Sequence, residues 1–195
     1  MVGTNDRNVK GQATTVSNWI PIVGTWTIEA GRALFTGPEN PTFKLGIALC
    51  DVRTTNGFFR LKVEMSGGDC AHLVFGHDAA TGSGYSIGLG GYDRAFVLHT
   101  YGINQGARLI RGVGKKENLQ AGRTYLLDVR LEGSVVSLEV NGVEVLEHNL
   151  PHPLIGDQVG IYGYGDGKVT FWDVEVTQVT PRAFVVMQYL SLIHI

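Results

Sequence analysis

The stretch 124–150, TYLLDVRLEGSVVSLEVNGVEVLEHNL, constrains the fold more than any other part of the chain. Tyr125, Leu127, Val129 and Leu131 stand two apart, with Asp128, Arg130 and Glu132 alternating with them. A period of two puts one set on a buried sheet face and the other in water. Glu132-Gly133 breaks the run, and Val136, Leu138 and Val140 resume it against Ser137 and Glu139. Asn141-Gly142 then sits between two alternating apolar runs. Asn and Gly both tolerate positive φ, which a two-residue type I′ hairpin requires at both central positions. Three consecutive antiparallel strands therefore follow from local chemistry.

The rest of the chain repeats that grammar. Phe59, Leu61, Val63 and Met65 alternate with Phe58, Arg60, Lys62 and Glu64, a half-buried strand. In the last strand, Lys168–Val179, Val169 and Phe171 share one parity, whereas Val174 and Val176 share the other. A β-bulge near Trp172-Asp173 would put all four on one face. The 27 glycines punctuate short apolar runs without a collagen-like period, and no stretch sustains helical periodicity. About a dozen strands with turn signals every 8–12 residues predict an all-β, two-sheet antiparallel sandwich. Residues 1–18 read as a flexible lead-in and 19–179 as one domain. Trp26 and Phe171 are assigned to its core.

A net charge of −2 argues against a nucleic-acid partner. No apolar run is long enough for a transmembrane helix, and the opening residues have no signal-peptide core, so no membrane partner and a cytoplasmic location are expected. Cys50 and Cys70 form no disulfide framework or metal spacing.

Several segments carry a resemblance: NGFFRLKVEM, AHLVFG, GYSIGL, AGRTYLLDVRLEGSVVSLEVNGVEV, DQVGIYGYG and VTFWDVEV. Together they resemble the concanavalin A-like lectin/glucanase superfamily, and within it the laminin-G-like and keto-disaccharide-hydrolase-like domains of bacterial proteins. The resemblance implies a jelly roll with one concave sheet able to hold a glycan. Pro181-Arg182 followed by Ala183–Tyr189 resembles the first strand of nucleoside-deoxyribosyltransferase-like and TIR-like domains, implying that 180–189 is a linker and the first strand of a truncated C-terminal effector domain. Leu190–Ile195 resembles a translated sequencing adapter, so 190–195 is set aside as an artefact.

Glucan-cleaving relatives carry two carboxylates as Glu-x-Asp-x-x-Glu on one strand, a motif missing from this sequence. Glu139 with Glu144, and Asp173 with Glu175, read as solvent faces of strands and are not expected to meet across a cleft. His72 with His77, and His148 with His152, nominate no third metal ligand. No cofactor is expected; Asp157, Asp166 and Asp173 are the acids open to a structural Ca²⁺, against the plainer reading of turn aspartates.

For binding, Tyr85, Tyr92, His99, Tyr101, Arg108 and Arg111 cluster in the middle third and are expected to line one open surface. Aromatic rings stack on sugar C–H faces, and Arg or His donates to hydroxyls. The reading is a non-catalytic module for a glycan or small polar ligand, the N-terminal sensor of a longer bacterial protein. A divergent glycoside hydrolase and a protein-interaction or oligomerisation domain are the alternatives.

Overall fold

A computed structural model describes residues 13–37, 44–67 and 69–179. The effector strand and adapter segment inferred beyond residue 179 lie outside them.

The described residues form fifteen strands: β1 (Ala13–Val16), β2 (Ile20–Val23), β3 (Thr25–Glu29), β4 (Arg32–Gly37), β5 (Leu45–Arg53), β6 (Gly57–Ser66), β7 (Cys70–Asp78), β8 (Ser83–Leu89), β9 (Phe96–Gly102), β10 (Gly106–Val113), β11 (Thr124–Glu132), β12 (Val135–Val140), β13 (Val143–Asn149), β14 (Gln158–Tyr164) and β15 (Lys168–Gln178). One short 3₁₀ turn, Lys116–Asn118, separates β10 from β11. The first sheet runs β13-β12-β11-β6-β15-β4-β3, with β1 also paired to β15; the second runs β10-β9-β8-β7-β14-β5-β2. Every strand pairing is antiparallel. This is the expected two-sheet sandwich.

The organising hairpins form as their turn chemistry dictates. Asn141 (φ 52°) and Gly142 (φ 80°) are both left-handed, as a type I′ turn demands. Asn141 accepts the Leu126 N–H on its side-chain oxygen at 2.9 Å and donates its own N–H to Leu126 O at 2.8 Å. No other group lies within 4 Å of where a Gly142 β-carbon would stand, so the site restricts conformation without restricting space. Gly142→Val should therefore cost about 1–3 kcal/mol through backbone strain. Chemical denaturation would show it, and an unchanged midpoint would mean the turn relaxes to another type.

The bulge in β15 lies where the parity change requires it. Register slips between Trp172 and Glu175, and Asp173 adopts φ 50°. Val169, Phe171, Val174 and Val176 all face the core as a result, each at most 1% exposed. Lys62 Nζ donates to the Asp173 carboxylate at 2.7 Å, covering the kink from the neighbouring strand. Trp172 points outward beneath the Arg32 guanidinium, 5.2 Å from its ring centre.

Two sequence expectations shift. Residues 13–16 belong to the first sheet rather than to a lead-in, because Ala13–Val16 pairs with Val174–Thr177 and buries Val16. Trp26 is only half-buried at the core edge; its indole N–H donates to Val23 O at 2.9 Å, which anchors the polar end of the ring.

The main core lies between the sheets, where Phe59, Leu61 and Val63 of β6 join Leu73 and Phe75 of β7. Phe35 of β4 inserts into a dimple in the other layer. A β-carbon on Gly46 would stand 2.3 Å from its ring, one on Gly163 2.7 Å and one on Gly24 2.9 Å. A second apolar cluster gathers Leu45, Ile47, Leu49, Cys70, Val74, Tyr101 and Tyr162. Strand parity puts it on the face of the second sheet turned away from the first. Over 45–50 of β5, 70–77 of β7 and 159–163 of β14 the strands are therefore buried on both faces.

Candidate functional site

The outward face of the second sheet holds a cavity of about 490 Å³. That volume falls in the range usual for small-ligand sites. Its aromatic lining comes from Tyr162 and Tyr164 of β14, His99 of β9 and Tyr92 of the β8–β9 connection. Asp69, Asp93 and Lys116 supply charge at the rim, and Leu45 and Cys70 complete the lower wall. Lys116 donates to Asp69, so the single ammonium of the lining is already paired with one of its two carboxylates. Burial pushes the Cys70 thiol up to about 12, which leaves it protonated.

The connection carrying Tyr92 is unusual. Gly90, Gly91, Tyr92 and Asp93 all have positive φ, at 75°, 108°, 52° and 56°. Left-handed geometry at Tyr and Asp costs of order 1–3 kcal/mol each. The turn is closed by Gly90 N–H to Ala95 O and Arg94 N–H to Gly91 O, both 2.8 Å, while Lys116 N–H reaches Asp93 O at 3.3 Å. Tyr92 is left 45% exposed, its ring in a T-shaped contact with His99 at 6.1 Å between centres.

The six residues expected on one surface divide among three places. Tyr92 and His99 line the cavity. Tyr101 lies on the same sheet face but is 2% exposed, its hydroxyl 2.8 Å from His77 Nδ1 and its ring packed on Tyr162. Tyr85 points into the main core, stacked on Phe75 at 5.7 Å, with its hydroxyl donating to His152 O at 3.1 Å. Arg108 pairs in register with Thr100, and Arg111 with Leu98. Those partners share the parity of Tyr85, so both guanidinium groups project on the side opposite the cavity, from exposed positions on an edge strand. A single open surface for all six is therefore overturned by strand parity.

Tyr162, Tyr164, Asp69 and Lys116 were missed. A signal existed for the tyrosines: in QVGIYGY, Tyr162 and Tyr164 share one parity while Val159 and Ile161 hold the other. Asp69 sits in a turn and Lys116 in a 3₁₀ segment, where no period announces a facing.

A shallower groove of about 330 Å³ crosses the outer face of the first sheet. Glu139 and Glu175 both line it, but β11 and β6 lie between their strands and the Arg60–Asp128 ion pair lies between their side chains, three strand spacings or about 14 Å across. Glu144 pairs with Glu139 in register, and Asp173 is held by Lys62. Arg60 grips Asp128 through two bonds, 2.7 and 3.2 Å.

The three aspartates considered for Ca²⁺ are in separate ion pairs: Asp157 with Arg53, Asp166 with Lys44 and Asp173 with Lys62. Among the described residues, no three His, Cys, Asp or Glu side chains gather as a metal group. No described helix is long and apolar enough to cross a membrane.

Two antiparallel sheets packed face to face make this chain a β-sandwich of the jelly-roll kind. Solved structures with this fold include the carbohydrate-binding module CBM66 from Bacillus subtilis (TM-score 0.68, 15% identity, covering 82% of this chain and 96% of that one). Another is a protein of Parabacteroides distasonis described as a candidate glycosyl hydrolase (TM-score 0.61, 14% identity, 92% and 99% covered). A third is the exoplasmic/lumenal domain of VIP36 in a Ca²⁺- and Man3GlcNAc-bound form (TM-score 0.57, 14% identity, 84% of each chain). No family model and no curated protein matches the sequence.

Proposed function

We propose that this chain is a non-catalytic glycan-binding module whose ligand occupies the cavity of Tyr92, His99, Tyr162 and Tyr164. The observation that carries the reading is a 45%-exposed tyrosine held in strained backbone over a partly apolar cavity with carboxylates at its rim. Tyrosine faces suit sugar C–H surfaces, and carboxylates accept pairs of hydroxyls. The carbohydrate-binding module and the lectin domain of the same fold support it by analogy of architecture. Two carboxylates against one paired ammonium favour a neutral, hydroxyl-rich sugar over an acidic one. In a longer bacterial protein, such a module would present the bound sugar to an effector domain in the cytoplasm.

A glycan array followed by calorimetry tests this. Binding of a neutral oligosaccharide should weaken at least tenfold in Tyr92→Ala, stay unchanged in Arg111→Ala, and proceed without release of reducing ends. Turnover abolished by Glu139→Gln or Glu175→Gln would place the chemistry in the groove of the first sheet and make the protein a hydrolase. No glycan binding, with specific capture of one protein partner, would instead support an interaction domain.

A further inference from the structure

The first sheet ends at β13, and the register there is irregular. Glu144 lies opposite Glu139 and Glu147 opposite Ser137, with a slip between Leu138 and Glu139 that leaves Val145 without a partner residue. Plain alternation would put Glu144 and Glu147, three apart, on opposite faces. The slip instead turns both Val145 and Leu146 toward the core and leaves both glutamates outside. Together they line one groove of about 220 Å³ with Arg130, Glu132, Val135 and Ser137.

Ser137 forms the floor of this groove. It lies in register between Arg130 of β11 and Glu147 of β13, whose side chains are far longer than its own. The residue is only 8% exposed, yet its hydroxyl makes no hydrogen bond among the described residues. A polar group so enclosed ordinarily has a partner. The walls are unevenly charged. Arg130 is already engaged: its guanidinium donates to Glu132 at 2.6 Å and lies over the Phe58 ring, 5.4 Å from the centre. Glu144 and Glu147 have no ion pair among the described residues. Like charges side by side weaken a sheet, and with Arg130 committed to Glu132 these two acids keep an uncompensated negative charge.

We propose that Glu144, Glu147 and Ser137 form a binding pocket for one primary alkylammonium group, the head of a lysine side chain or of a free polyamine. An ammonium carries three N–H donors and no acceptor, and the pocket answers with two carboxylates and a hydroxyl oxygen. Hydrogen bonds between ionised partners are about twice as strong as neutral ones. Val135 and the methylenes of Arg130 give the alkyl stem an apolar wall. A guanidinium fits less well, because its planar fork matches a single carboxylate rather than acceptors grouped around a floor. The pocket belongs to the first sheet and the aromatic cavity to the second, so it does not depend on the sugar proposed there.

The test follows backbone amide resonances of the isotope-labelled chain during titration with cadaverine and, separately, with an N-acetylated Gly-Lys-Gly peptide. Saturable shifts should centre on Ser137, Glu144 and Glu147. Saturation at lower concentration by cadaverine assigns the pocket to a free polyamine, and by the peptide to a protein lysine. Affinity for the better ligand should fall about tenfold in Glu147→Gln and stay unchanged in Glu29→Gln, on the opposite edge of the sheet. The fully N-methylated form of that ligand keeps its charge but has no N–H to donate, so it should bind the wild-type chain about tenfold more weakly. Equal binding of the methylated form would reduce the effect to charge attraction and overturn the assignment. Shifts that never saturate, or that centre on other acidic residues, would overturn it as well.

Discussion

Replacing Phe35 with Ala should cost about 3–5 kcal/mol and shift the urea midpoint far more than any surface change. The side chain is fully buried, and its ring fills a dimple bounded by Gly24, Gly46 and Gly163. Those glycines have no side chains with which to collapse into the space. Gly163→Val makes the converse error by forcing a side chain into the Phe35 ring, and should cost about 1–3 kcal/mol through overpacking. Their combination should be milder than the sum, because the valine then occupies part of the void that Phe35→Ala leaves. Strict additivity in a double-mutant cycle would show that the two positions do not share one packing unit.

Mild acid should also destabilise the domain, and the buried histidines set the window. Folded His72 and His99 resist protonation down to about 3 and about 4, whereas in the unfolded chain both take up protons near the ordinary histidine value of about 6.5. Below that value the unfolded state binds more protons than the folded one. Their contribution is therefore fully present above about pH 6.5 and is lost as pH falls toward the folded values, at up to about 1.4 kcal/mol per histidine for each pH unit. Burial lowers His77 as well, which adds in the same direction. Urea midpoints at about pH 7 and about pH 5 bracket the effect before most carboxylates titrate. A flat midpoint across that interval would mean the rings are already charged in the folded protein.

The sandwich was legible because its signals are local. Asn141-Gly142 specifies its own turn, and the parity change across Trp172-Asp173 announces the bulge before any partner strand is known. The binding face was legible only in part. Tyr85 and Tyr101 are both tyrosines in alternating strands, yet one enters the core and the other the outer cluster. The difference is one of parity against neighbours, and composition does not carry it. Arg111 was misread for a related reason: the irregularity between Leu109 and Arg111 in β10 resets its face, whereas Arg108 follows plain parity from Thr100. His72 of β7, Ser86 of β8 and His99 of β9 touch only because three strands pair, and pairing between strands is what a linear pattern conveys least.

The last two strands described are both inserted between strands that come much earlier in the chain. β14 lies between β7 and β5, and β15 lies between β6 on one side and β4 with β1 on the other. As the chain leaves the ribosome, β5, β6 and β7 emerge with an edge each that stays open until roughly a hundred further residues have been made. Neither sheet closes by adding strands in order of synthesis; each waits for a late insertion. Such long-range pairing predicts slow folding and a nascent chain dependent on chaperone cover until β15 is free of the exit tunnel.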